Sequence, residues 1–180
     1  MIRILLLLCC LIFVQNDEPV LSWNETYKLT WLDFKAKPNM NDSAGAITAS
    51  GITFGFSIRQ TDKNDVVSFL SEVQAHFYPD QSWFKIEQAD DHILGHEQLH
   101  FDITELYARK FRYRTSNLKL SNRVRVELNK IHNDINAKLS QMQNKYDNET
   151  DYSRNFQAQS KWRIYVDTEL NKYLKYKSVD

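Results

Sequence analysis

Apolar positions recur with two different periods, and the change of period divides the chain. Within Ile47 to Ile58, the residues Ile52, Phe54, Phe56 and Ile58 alternate with small or polar ones. Val67, Phe69, Ser71, Val73, Ala75 and Phe77 also fall at period two. That period lines one face of a pleated strand, so the two runs predict antiparallel strands joined across the polar turn Thr61 to Asp65. A helix over residues 66–77 is the competing reading, because short apolar runs are ambiguous. Tyr27 to Phe34 carries aromatic and β-branched residues, as strands do, and stops before a polar loop, Lys35 to Ser43, containing Pro38.

In the second half the period lengthens. Asp90 or Asp91 can cap a helix that runs to about Arg114. Val124, Leu128, Ile131, Ile135, Leu139, Met142 and Tyr146 recur at steps of four and three, one apolar stripe on a long helix. Phe156, Trp162, Val166, Leu170 and Tyr173 make a similar stripe on a third helix. Glycine and proline agree with this division: all four glycines and all three prolines lie at or before residue 95. Strands and turns are therefore expected first and long helices afterwards.

The N-terminus changes how much of the chain enters this fold. Met1 to Asn16 has a basic residue at Arg3 and an apolar run from Ile4 to Val14. That is the pattern of a secretory signal, and the run is shorter than the roughly 20 apolar residues of a spanning helix. Residues 1–16 are read as signal peptide and 17–180 as a single domain, exported to the periplasm or the extracellular space, with no stable membrane span once the signal is removed. Cys9 and Cys10 fall in the signal, and Leu8 is not the small residue that a lipid-attachment site needs. No disulfide framework and no cysteine metal site remain. Lys and Arg number 23 against 23 Asp and Glu, so binding to nucleic acid through bulk charge is disfavoured, the basic run Lys110 to Arg114 notwithstanding.

The candidate chemistry lies on the first predicted helix. His96-Glu97-Gln98-Leu99-His100 is His-Glu-x-x-His. Positions i and i+4 share a helix face, so both imidazoles can reach one ion, and Glu97 beside them can act as general base toward a water. Zinc suits this role, because it lowers the pKa of a bound water to about 7. The plain alternative is two surface histidines and a salt-bridging glutamate on an amphipathic helix.

The stretch His96-Glu-Gln-Leu-His-Phe-Asp-Ile-Thr-Glu-Leu-Tyr-Ala-Arg109 resembles the bacterial DUF922 family, described as predicted secreted zinc-dependent proteases. Leu29 to Lys35 with Pro38, Ala49 to Ile52, Ala75 to Phe77 with Ser82-Trp83, and Tyr146 to Thr150 with Gln159 and Trp162 resemble its other blocks in order, over roughly residues 27–165. The resemblance implies an α+β, zincin-like fold: a small antiparallel sheet in the N-terminal half packed on three long helices. It also implies a Zn2+ cofactor and a histidine ligand shortly after the Glu-Thr pair. Here Glu149-Thr150-Asp151-Tyr152 puts Tyr152 at that place. A catalytic zinc usually has three protein ligands, and the third is open between Tyr152 and Glu149, with Asp151 a further choice. Glu149 and Asp151 could equally serve the start of the third helix.

Asp102 could orient a zinc-bound histidine from behind. Glu105 could pair with Arg109 on the solvent face. His92 is spaced like another ligand but reads as the start of the helix. His132 reads as solvated, and Trp31, Trp83 and Trp162 as core anchors. The sequence thus points to an exported zinc-dependent hydrolase acting on a peptide or protein substrate. The alternative is a non-catalytic exported binding module with a degenerate zincin site, which Tyr152 favours.

Overall fold

The computed structural model describes residues 19–178; the signal-peptide assignment to residues 1–16 lies outside them. The two period-two runs form β3 (Ser50–Gln60) and β4 (Val66–Phe77), paired antiparallel with Ile52 opposite Ala75 and Phe54 opposite Val73. The turn between them closes as expected, with Thr61 donating to Asp65 O and Asn64 to Thr61 O. β1 (Leu21–Ser22) adds to the other side of β4, opposite Phe77 and His76. A second, two-stranded piece pairs β2 (Ala46–Ile47) with β5 (Trp83–Phe84). The fold is α+β, and among the described residues no helix is long and apolar enough to cross a membrane.

Tyr27 to Phe34 is not a strand. Trp31–Asp33 is a turn of 3-10 helix, because Thr30 and Asp33 form a reciprocal capping box with Thr30 N donating to Asp33 Oδ2 at 2.7 Å. Local side chain-to-backbone bonds override the β preference of the aromatic residues.

Three helices follow: α1 (Asp91–Ser116), α2 (Val124–Thr150) and α3 (Phe156–Lys172). Asp90 caps α1, accepting from Ile93 N at 2.7 Å. The α2 stripe is buried at Val124, Leu128, Ile131, Ile135, Leu139 and Tyr146. On α3, Trp162, Val166 and Leu170 are buried, but Phe156 is 61% exposed. Trp83 is a core residue as expected, and Trp31 is partly buried against that core. α1 runs through the middle of the molecule, with the β3–β4 hairpin, α2 and α3 all packed on it.

Two expectations change for that reason. Glu105 and Arg109 do pair, at 2.9 Å, but with the helix covered all round they pair inside the core, and Arg112 joins them at 3.2 Å. His132 is half-buried rather than solvated, its ring 5.3 Å from that of Phe54.

Candidate metal centre

Helical spacing places His96 and His100 one turn apart on α1, on the side that meets the last turns of α2. Their Nε2 atoms lie 3.2 Å from each other. Asp147 of α2 brings Oδ1 to 3.2 Å from His96 Nε2 and 2.9 Å from His100 Nε2. Ligands 2.0–2.2 Å from a tetrahedral zinc stand about 3.3–3.6 Å apart. The triangle of donors is slightly contracted from that size, so the residues present fit a divalent ion.

Hydrogen bonding fixes what His100 presents to the triangle. Gln143 Nε2 donates to the His100 carbonyl at 2.9 Å, so Gln143 Oε1 is the atom facing His100 Nδ1 at 2.6 Å. His100 Nδ1 therefore carries a proton, and in the neutral ring Nε2 holds a lone pair. That lone pair faces the Asp147 oxygen, and two acceptors at 2.9 Å require a cation between them. A proton can serve: burial works against charge on His100, but the Asp147 hydrogen bond and the charges of Glu97 and Asp147 outweigh it and raise its affinity for a proton. Burial likewise disfavours an ionised Asp147, yet the hydrogen bonds from His100 and His96 hold its carboxyl well below the usual carboxylate range. A metal ion would displace the proton.

Tyr146 forms the floor. It is fully buried, its ring stacks 4.5 Å from that of His96 and meets His100 edge-on at 4.9 Å, and burial pushes its phenol far above the usual tyrosine range. Glu97 is 4% exposed and lies close enough for its charge to act on His100 and Tyr146. Thr48 Oγ1 donates to its carbonyl at 3.2 Å, tying the segment after β2 to the motif. These groups open on a cleft of about 620 Å³, walled by residues 42–48, by Ile93 and by the α2–α3 turn at residues 152–154.

The other candidates are placed elsewhere. Glu149 accepts from Trp162 Nε1 at 2.9 Å and pairs with Lys145 at 3.7 Å, in a separate groove between α2 and α3. Asp151 is held by Arg154 at 2.6 Å. Tyr152 is 58% exposed at the rim of the cleft. Asp102 accepts from Trp23 Nε1 at 2.7 Å and Gln98 Nε2 at 2.9 Å, and it is Gln143 that backs His100. His92 stacks on Phe156 at 3.5 Å and bonds to Ser153 O.

The family model described as "Bacterial protein of unknown function (DUF922)" matches residues 26–157, more than half of the chain. The chain belongs to the DUF922 family. The span matched to DUF922 contains His96, Glu97, His100, Gln143 and Asp147, and it ends before Gln159 and Trp162. No curated protein and no solved structure matches this DUF922 chain.

Sequence reasoning missed Asp147 and Gln143. A signal existed: they lie four apart on α2 and flank Tyr146 of the apolar stripe, so both polar residues border the buried face.

Proposed function

We propose that this protein is an exported zinc-dependent peptidase. The reading is carried by one observation, the convergence of His96 Nε2, His100 Nε2 and Asp147 Oδ1 beside the buried carboxylate of Glu97. His96, His100 and Asp147 would hold the ion. When bound, the ion supplies Lewis acidity toward the scissile carbonyl and acidifies the attacking water. Glu97 would serve as the base toward water in the cleft and return the proton to the leaving amine. Gln143 keeps His100 in the tautomer that offers Nε2, and Tyr146 keeps solvent from the inner side of the rings. Residues 43–46 of the cleft wall are Ser, Ala, Gly and Ala, small enough for the main chain of a substrate to approach main chain, which favours peptides over compact esters. The apolar run Ile4 to Val14 supports export.

A two-histidine, one-carboxylate set also suits iron(II). Glu97 in the same cleft favours hydrolysis and hence zinc. Tyr152, which favoured a degenerate binding module, loses that weight once Asp147 stands beside both imidazoles. The experiment is elemental analysis of the untagged mature chain, followed by peptidase assay. About one zinc per chain is expected, lost in His96→Ala, His100→Ala and Asp147→Ala. Glu97→Gln should retain zinc and lose turnover by roughly 10²- to 10⁴-fold. Undiminished turnover in Glu97→Gln, or stoichiometric iron in place of zinc, overturns the reading.

A further inference from the structure

His92 is spaced like a metal ligand but makes contacts of another kind. Its Nε2 lies 2.6 Å from the carbonyl oxygen of Ser153, which can only accept, so His92 donates. Its ring lies flat on Phe156, with centroids 3.5 Å apart and planes at 9°. Its own carbonyl accepts from Gln159 Nε2 at 2.9 Å. One residue thus joins the start of α1, the α2–α3 turn and the start of α3.

That turn is under strain. Asp151, Tyr152 and Ser153 have φ of 51°, 51° and 72°, three successive left-handed residues with no glycine among them. Such a conformation costs about 1–2 kcal/mol per residue and persists only where its surroundings hold it. The turn is also fastened to the metal centre through the backbone. Tyr152 N donates to the carbonyl of Asp147 at 2.9 Å, and Asn155 N to that of Thr150 at 2.8 Å. Asp147 thus gives its carboxylate to the imidazoles and its carbonyl to the strained turn.

We propose that His92 is a positioning residue: it clamps the turn Asp151–Ser153, and through it holds the last turn of α2 so that the Asp147 carboxylate meets His96 and His100. This rests on the reading of those three residues as metal donors. Without the clamp the turn relaxes toward unstrained backbone, the Tyr152-to-Asp147 bond is lost, and Asp147 is no longer held at the distance the two histidines set.

Three variants separate the hydrogen bond from the stack. His92→Phe keeps a ring against Phe156 and removes the donor. His92→Gln keeps a donor and removes the ring. Phe156→Ala removes the stack alone. Two quantities are read in the full mature chain: zinc affinity, by competition with a chromophoric chelator, and hydrogen exchange at the Tyr152 and Asn155 amides. His92→Phe should weaken zinc roughly tenfold or more and speed exchange at both amides. His92→Gln and Phe156→Ala should stay within about threefold of the wild type, a pattern that general loss of packing would not give. Wild-type zinc affinity and unchanged exchange in His92→Phe overturn the proposal, as does equal loss in all three variants. Should the wild type itself take up no zinc, the metal reading fails, and the two exchange rates alone decide for or against the clamp.

Discussion

Ser153→Gly should make the protein more stable, against the usual effect of introducing glycine. Ser153 has φ 72°, and among the described residues no hydrogen bond to its side chain contributes to the turn; it is its main-chain oxygen that meets His92. A left-handed conformation costs a residue with a Cβ about 1–2 kcal/mol, and glycine escapes that cost. Against this, glycine adds about 0.4–1 kcal/mol of conformational entropy to the unfolded chain. The difference favours the variant by about 0.5–1 kcal/mol, or roughly 1–4 °C in Tm for a chain of this size. Ser153→Ala keeps the Cβ and should melt like the wild type, so it controls for loss of the hydroxyl. Calorimetric melting and urea unfolding of the two variants, in excess chelator to remove any metal contribution, give the comparison. If Ser153→Gly is no more stable than Ser153→Ala, the turn does not store strain at this residue.

Gln143→Leu removes the acceptor of the His100 Nδ1 proton; metal affinity should fall about 10- to 100-fold with little change in circular dichroism, and Gln143→Glu, which keeps that acceptor but gives up the donor to the His100 carbonyl, should recover part of it. Glu105→Leu strands the buried Arg109 and leaves Arg112 short of a partner; urea unfolding should show a loss of about 3–5 kcal/mol, and a loss below about 1 kcal/mol would mean that the arginines find other acceptors. Burial holds His76 below the usual histidine range, opposed by the charge of Glu72. The folded protein then binds fewer protons than the unfolded chain as pH falls through about 6.5, so this histidine's contribution to stability is lost on acidification through and below that value. His76→Gln should flatten the fall in Tm between about pH 7 and 5 relative to the wild type, and an identical pH profile would refute the assignment.

Where one period governed a whole element, the sequence was legible. The β3–β4 hairpin and the three helices fall close to where the apolar repeats put them, because burial of one face decides each. Tyr27–Phe34 failed because a four-residue capping box outweighs composition over so short a span. Glu105–Arg109 was paired correctly but placed on the wrong side, since spacing along one helix says nothing of what covers it. At the site, His96, Glu97 and His100 were legible because a single helix turn brings them together. Asp147 was not, because it comes from α2, 51 residues from His96, and the register between two helices is a tertiary fact. Looking for a third donor after the Glu-Thr pair led past the end of α2, whereas the carboxylate that meets both imidazoles, Asp147, lies one turn inside it.

That separation has a mechanical consequence. An ion held by His96 and Asp147 would close a 51-residue loop containing most of α1 and nearly all of α2. In chain-entropy terms a bridge over a loop of that length is worth about 4 kcal/mol, comparable to a disulfide, in a chain whose cysteines both lie before residue 11. The same ion would therefore serve as a removable cross-link. Depleting it would slacken the docking of α1 against α2 before it altered either helix, and cutting by an added protease within residues 117–123, between the two helices, would report the slackening.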